Sequence, residues 1–262
     1  MDILEYFSGT GKIYIGSRQS NGNPGALNWV GDALMEFGFT PNETEFKENW
    51  TGQRGTALKL PGETAANLNL TFLQFNYDNL VTAMRGERKT QATAAFTDRV
   101  LSATLPSVGD FLSLNAFDVS AVTLKDSTPT TPKNLVLDTN YRLDAKTGMV
   151  EIINTTTGGP FVAPILGSAT PGATDFVKMM SGSAQEYWVR FVGDNTVPGA
   201  VHKKVVADFY RWSPSPTETL SLIQDGASRL ESPIAGGLLA DSTKTASDEF
   251  GYYGRIALLT AA

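Results

Sequence analysis

Two segments carry the clearest periodicity in the chain: Leu34–Lys47, LMEFGFTPNETEFK, and Ala66–Leu73, ANLNLTFL. In the second segment apolar and polar residues alternate strictly, which is the period-2 pattern of an antiparallel strand with one buried and one wet face. Its two faces are Ala66, Leu68, Leu70 and Phe72 on one side, and Asn67, Asn69 and Thr71 on the other. The sequence therefore predicts that this strand covers a core.

The first segment changes character along its length. Its beginning, up to Phe39, presents apolar residues on one face, and after Pro41 the side chains of Glu43, Glu45 and Lys47 fall on one side. A charged strand face must meet water or the charges of a neighbour. We therefore expect Leu34–Lys47 to be a strand whose far half is not part of a core.

The loop between the two strands is long and glycine-rich, yet it contains Trp50, Gln53 and Arg54. Trp and Arg are enriched where one protein surface anchors on another. The loop is thus a candidate contact loop that binds a partner. The alternative is that Trp50 folds back onto the core of its own chain.

After the second strand, Tyr77–Met84 is predicted to be a short helix that Asn76 or Asp78 caps and that ends before Gly86.

Composition narrows the function classes. The chain has 262 residues, a formal net charge of −6 and no cysteine. The acidic balance argues against electrostatic binding of nucleic acid, and the lack of cysteine excludes disulfides, thiolate nucleophiles and cysteine-ligated metals. The beginning of the sequence lacks the pattern of a signal peptide, and no run of about 18 apolar residues suits a membrane helix. We expect a protein made in the cytoplasm, without membrane partners.

The remaining pattern predicts mostly antiparallel strands. A hairpin joins Tyr141–Asp144 to Met149–Ile153 across a turn with Gly148, and a longer pair joins Glu186–Phe191 to Lys203–Trp212. Thr155–Ala173, rich in Thr, Gly and Pro, is interpreted as a linker. The expected fold is all-β, a mainly antiparallel sandwich or half-barrel with one short α-helix. Residues 1–105 and 156–262 form one discontinuous domain in this interpretation, and residues 106–155 a small β insert.

Catalytic and metal motifs are weak. Gly9–Lys12 resembles part of a P-loop, but the first glycine and the Ser/Thr of that motif are absent and a strand follows. His202 is the only histidine, so there is no histidine cluster for zinc, and a catalytic triad would need this residue specifically. The acidic residues of the insert lack the spacing of a calcium loop. We predict no enzyme activity, no cofactor and no metal, although a carboxylate pair for glycoside hydrolysis stays open.

The succession of segments resembles a known family. Gly11–Gly16, Ala33–Phe39, Glu43–Trp50 and Leu68–Phe72, followed by a short helix ending near Gly86, are similar to the major tail tube proteins of long-tailed, siphovirus-like bacteriophages. The pair around Tyr187–Tyr210, the Leu220-Ser221-Leu222 run and the closing strand at Tyr252–Leu259 are similar to the second half of that family, and the Tyr141 hairpin resembles a β insert of phage structural proteins.

The resemblance implies an assembly. Such subunits form rings, usually hexamers, that stack into the hollow tail tube of the virion, through which genomic DNA passes without specific binding. Leu34–Lys47 and Ala66–Leu73 would line the bore, with Glu43 and Glu45 as acidic lumen residues. The loop Asn49–Gly62, with Trp50, Gln53 and Arg54, would contact the adjacent ring. The insert, absent from minimal tube proteins, would decorate the outside.

The implied partners are further copies of the chain and other tail proteins, namely the tape measure, terminator and tail-tip proteins. Two alternatives remain at this point. One is another phage structural subunit, such as a tail terminator, a baseplate protein or a capsid decoration protein, which would share the β architecture but stop at one ring. The other is a carbohydrate-binding module or glycosidase.

Overall fold

The computed structural model describes residues 6–244 and 249–260. Strands dominate, and one short helix is present in this part of the chain, so the all-β prediction is confirmed. The elements in chain order are β1 (Gly9–Ser17), β2 (Asn28–Trp29), β3 (Ala33–Lys47), β4 (Thr56–Phe72), α1 (Tyr77–Ala83), β5 (Glu87–Thr90), β6 (Phe96–Ser102), β7 (Phe111–Ser113), β8 (Ser120–Lys125), β9 (Asn134–Leu135), β10 (Tyr141–Asp144), β11 (Met149–Ile152), β12 (Ile165–Thr170), β13 (Asp175–Lys178), β14 (Tyr187–Asn195), β15 (His202–Pro214), β16 (Ser232–Leu238) and β17 (Gly254–Thr260).

The chain divides into two compact units. The first comprises residues 1–87 and 177–262, and its eight-stranded antiparallel sheet has the order β2-β1-β14-β15-β16-β4-β3, with β17 also paired to β15. The predicted pairing of the segments around Tyr187 and Lys203 is confirmed as the β14–β15 ladder. The long strand β15 thus has β14 on one side and both β16 and β17 on the other.

The core of the first unit forms where the sheet curls over itself. The predicted face of β4 is confirmed, because Ala66, Leu68, Leu70 and Phe72 are all buried. They pack in one cluster with residues from the other strands, and on β3 the ring of Phe37 lies 5.3 Å from that of Phe209. The other members are Ile13, Ile15, Val30, Ala83, Val189, Ala207, Phe209, Trp212, Ile234 and Leu238.

The short helix α1 begins as the sequence predicts. The side chain of Asn76 accepts a hydrogen bond of 2.9 Å from the backbone N–H of Asn79, which satisfies a free donor of the first turn. The side-chain amide of Asn79 in turn donates to the carbonyl of Val30 at 2.9 Å. The helix is therefore tied to the chain just before β3 by a buried polar contact, and its most buried residues are Asn79 and Ala83.

The second unit, residues 88–176, is wider than the predicted insert of residues 106–155. Its sheets are β6-β12-β8-β9 and β10-β11-β7, and β5 pairs with β13 where the chain enters and leaves it. The predicted hairpin is confirmed as β10–β11, with Gly148 at a positive φ of 69°. The linker prediction for Thr155–Ala173 was wrong over β12, where alternate residues are buried. The Thr, Gly and Pro residues that precede this strand are typical of loops, and for that reason the sequence pattern did not predict it.

A buried ionic cluster joins three strands of the first unit. Asp208 on β15 is 1% exposed and lies directly opposite Arg190 on β14 and Arg255 on β17. Arg190 donates to it at 2.5 and 2.9 Å, and Arg255 at 3.2 Å. Burial alone raises the pKa of Asp208, but the hydrogen bonds from the two guanidinium groups outweigh this effect and hold the pKa below its ordinary value.

We predict that Asp208→Asn destabilises the first unit by about 3–5 kcal/mol, because it leaves two guanidinium groups without their charged partner. All four tryptophans, Trp29, Trp50, Trp188 and Trp212, belong to this unit. Urea unfolding followed by tryptophan fluorescence therefore reports its stability.

The matched control is Asp194→Asn, on the same ladder. Asp194 pairs with Lys204 at 2.7 Å, but both side chains are more than half exposed, so its loss should cost under about 1 kcal/mol. Equal effects of the two substitutions would contradict the structural role assigned to Asp208.

Candidate functional site

The most unusual feature of the first unit is a hairpin that continues past the sheet. β16 pairs with β4 only from Ala66 to Phe72, whereas β3 and β4 stay paired to Lys47 and Thr56. From Thr40 to Ala65, all of which the structure describes, Glu48 is the only buried residue. We call this segment, Thr40–Ala65, the arm. Two-stranded hairpins are marginally stable alone in water, so its exposed surface requires explanation.

One face of the arm is apolar. Phe46 lies directly opposite Leu58, and Leu60 follows opposite Thr44. Side chains of a directly opposed pair in a ladder are close enough to touch. Phe46, Leu58 and Leu60 are each about half exposed, with values of 49%, 51% and 46%. Three adjacent apolar side chains on a ribbon without a covering layer are typical of a contact surface rather than of a solvated strand.

The other face is charged, and it is not purely acidic. Glu45 lies opposite Lys59, whose Nζ is 2.6 Å from Glu45 and 3.5 Å from Glu43. The hydrogen bond from Lys59 is the main reason that the pKa of Glu45 is lowered. Lys47 lies on the same strand as the two acids, and alternation along β4 places Glu63 on the face of Lys59 as a third acid. Lys59 thus faces Glu43 and Glu45, a pairing that the sequence alone did not show, and the lumen position of the two acids stays a prediction.

The tip of the arm is organised around Glu48, which the sequence analysis did not single out. Its carboxylate accepts hydrogen bonds from the backbone N–H groups of Trp50 at 3.0 Å and Thr51 at 2.8 Å, and from the hydroxyl of Thr51. Its own backbone N–H donates to the carbonyl of Gly55 at 2.8 Å. The bonds from Thr51 lower the pKa of Glu48, so the carboxylate stays charged as it closes the loop. The sequence contains one signal for this arrangement. Glu48 precedes Trp50 by two residues and Thr51 by three, a spacing at which an acidic side chain can accept hydrogen bonds from backbone N–H groups.

The three predicted contact residues lie together on this tip. Trp50 is 79% exposed, so the alternative of a core tryptophan is wrong. Gln53 and Arg54 are exposed beside it, and Arg54 has a positive φ of 51°, next to Gly52 at 80°. The tip therefore presents a large aromatic ring and a guanidinium on a loop that its own backbone bonds hold in shape.

Open sheet edges accompany the arm. Within the described part of the chain, β3 pairs with β4 alone and β17 with β15 alone. The outer edge of each strand thus presents backbone N–H and C=O groups without a strand partner. Proteins usually cover or interrupt such edges, since they pair readily with another chain. β3 is 15 residues long, and its outer edge extends from the sheet along the arm.

The structure does not place the other candidate residues of the sequence analysis in the arrangement that their motifs require. Gly9–Lys12 lies within β1, which is incompatible with the loop-to-helix context of a P-loop. His202 begins β15 and is partly exposed. Over residues 6–244 and 249–260, no group of three or more acidic or histidine side chains is placed to hold a metal ion. The described residues also contain no helix long and apolar enough to cross a bilayer.

Comparison with known proteins identifies a family. The model of the family described as "Protein of unknown function UCP028589" matches residues 6–257, nearly the whole chain, and the chain belongs to this family. No curated protein matches the sequence. The matched range includes residues of both units of the chain.

We predict that Glu48→Ala loosens the tip without unfolding the sheet. Loss of the carboxylate leaves the N–H groups of Trp50 and Thr51 without their acceptor, so their amide hydrogen exchange should accelerate by about tenfold. Glu63→Ala, an exposed acid on the same arm, is the control. An unchanged exchange rate at Trp50 would show that Glu48 does not hold the tip.

Proposed function

We propose that this member of the UCP028589 family is the tail tube subunit of a long-tailed bacteriophage, and that it assembles as rings, with six subunits expected per ring, stacked into a hollow tube for DNA ejection. The observation that carries the proposal is the arm: an ordered, exposed hairpin, apolar on one face and tipped by Trp50, at the end of a strand with an open edge. A subunit that acts alone has no need of such a surface.

The open edges support growth within a ring. If the outer edge of β3 in one copy meets a strand edge of the next, the sheet continues around the ring and its backbone groups are satisfied. Closure of a sheet into a barrel removes its edges altogether. A contact between two different surfaces of one chain generates rings when the rotation closes.

The arm supports stacking of one ring on the next. Its tip carries Trp50, Gln53 and Arg54 away from the core, and the strands that position them are fixed in the sheet at their other ends. Trp and Arg are the side chains that most often dominate binding energy at protein interfaces. The proposed partners are thus further copies of this chain, with tape measure, terminator and tail-tip proteins at the ends of the tube.

The charge distribution supports DNA passage. The chain carries a net charge of −6, and the charged face of the arm is close to neutral because Lys59 pairs with Glu43 and Glu45. In a bore lined by this face Lys59 would already be paired with two acids, which leaves fewer free cations to hold phosphates. In this proposal the protein is made in the host cytoplasm and resides in the virion tail.

Electron microscopy of the purified protein over a concentration series, together with sedimentation, tests the proposal. Hollow rings or tubes with a bore wide enough for duplex DNA would support it. Single rings that never stack would instead favour a terminator or baseplate subunit. A protein that stays monomeric at all concentrations, also in the presence of preformed tail tips, would contradict it.

We predict that Trp50→Ala weakens stacking by about 2 kcal/mol or more through the loss of a desolvated anchor. Because Trp50 is 79% exposed in the single chain, the urea midpoint of the first unit should not change. Tube length and resistance to dilution are the measurements. Tubes of unchanged length and stability would show that Trp50 is not a stacking contact.

We also predict that the double substitution Glu43→Lys and Glu45→Lys slows DNA ejection while tubes still assemble. The change leaves four lysines on one face of the arm, counting Lys47 and Lys59, and each free cation retards phosphates. The matched control is Glu218→Lys with Glu231→Lys, which reverses the charge of two exposed acids outside the arm. Ejection at the normal rate from particles that carry the double variant would contradict a lumen position for this face.

A further inference from the structure

The first unit contains an apolar groove that its own described residues do not fill. The groove has a volume of about 860 Å³. Its walls come from β1, β14, β15, β17 and the beginning of β3. Apolar side chains at its mouth are about half exposed, for example Ile256 at 53% and Leu258 at 56%. The others that matter here are Phe7, Met35, Phe37 and Phe191.

The groove is an extension of the core. Across the sheet, Ile13, Phe191, Ala207 and Ile256 lie directly opposite one another in a single row. In this row Ile13 and Ala207 are buried, whereas Ile256, on the strand with an open edge, is 53% exposed. A contiguous apolar surface of this kind, continuous with a packed interior, is typical of a site that another polypeptide covers.

The arm carries the complementary surface. Phe46, Leu58 and Leu60 form its exposed apolar face, and its tip has Arg54 as the only charged residue between Asn49 and Gly55. The groove is bordered by the acidic side chains of Glu36 and of Asp32, the latter paired with Arg229 of its own chain at 3.1 Å. Apolar side chains can thus enter the groove while a cation of the tip meets an acidic rim.

The arm cannot reach the groove of its own chain. Met35 on β3 lines the groove, and Phe46 lies 11 residues further along the same continuous strand. An extended strand rises about 3.3 Å per residue, so the two side chains are separated by roughly 35 Å. The strand would have to break for the arm to fold back. The complementary surfaces therefore meet only between two molecules.

We propose that the apolar face of the arm of one copy docks into the groove of a second copy, with Phe46, Leu58 and Leu60 covering Phe37, Ile256 and Leu258. This inference rests on the proposed function, since it names the surface of the neighbouring subunit that receives the arm. The contact joins two different surfaces of the same chain, so a pair of copies joined in this way still has one free arm and one free groove for further copies.

Cysteine cross-linking tests the contact, because the natural chain contains no cysteine. One preparation carries Leu58→Cys on the arm. A second, with an added size tag, carries Ile256→Cys in the groove. Both positions are exposed in the single chain, so folding should be retained. On mixing and oxidation, we expect a disulfide between tagged and untagged copies that disappears on reduction.

The matched control replaces Leu58→Cys by Lys59→Cys, the next residue, whose side chain lies on the opposite face of the arm. It should give at least tenfold less mixed disulfide with Ile256→Cys. A second pair, Phe46→Cys with Leu258→Cys, repeats the measurement if either first variant folds poorly. Electron microscopy of the same mixtures records which assemblies form.

Each outcome decides between the two proposals. Preferential cross-linking of Leu58→Cys supports the docking of the arm. If the same mixtures form open chains instead of tubes, the docking is still supported and only the proposed tube is contradicted. Rings or tubes without preferential cross-linking overturn the docking and leave the proposed function intact. The absence of both cross-links and particles, including particles of the unmodified chain, overturns both.

Discussion

The pairing of β3 with β4 is the constraint on which the rest of the first unit depends. Over Ala33–Phe39 this ladder closes the curled sheet and covers Leu68 and Leu70, and beyond Thr40 the same ladder continues into water. One hydrogen-bonded register therefore positions both the core and the arm. A slip of one residue would turn the apolar residues of β4 away from the core and at the same time exchange the faces of the arm.

Fixing the arm to the core in this way explains how an otherwise marginal hairpin stays ordered. The sheet holds one end, and the carboxylate of Glu48 closes the other by accepting hydrogen bonds from the tip. Lys59 bridges the strands on the charged face. None of these contacts covers Phe46, Leu58 or Leu60, so the arm retains an apolar face that only another molecule can bury.

The two faces of the arm also divide its roles in an assembly. The apolar face suits a protein neighbour, whereas the charged face, with its paired lysine, suits water and the passage of a polyanion. The buried Asp208 cluster ties β14, β15 and β17 together beneath this arrangement, and it fixes β17 at the edge of the groove. The structural and the proposed functional features thus belong to one sheet.

Local patterns in the sequence were sufficient to predict the second half of β4, the strands β10, β11, β14 and β15 and the short helix, because period-2 alternation, turn residues and caps act over a few neighbours. The first half of β4, from Thr56, was predicted to be loop, and its pairing with β3 emerged only in the structure. Tertiary structure decided what depends on distant pairing. It joined β6 to β12 in a second unit wider than predicted, turned Lys59 toward Glu43 and Glu45, and assembled the groove from five strands. Such contacts follow from register between residues far apart in the chain, and that register leaves no local signal in the sequence.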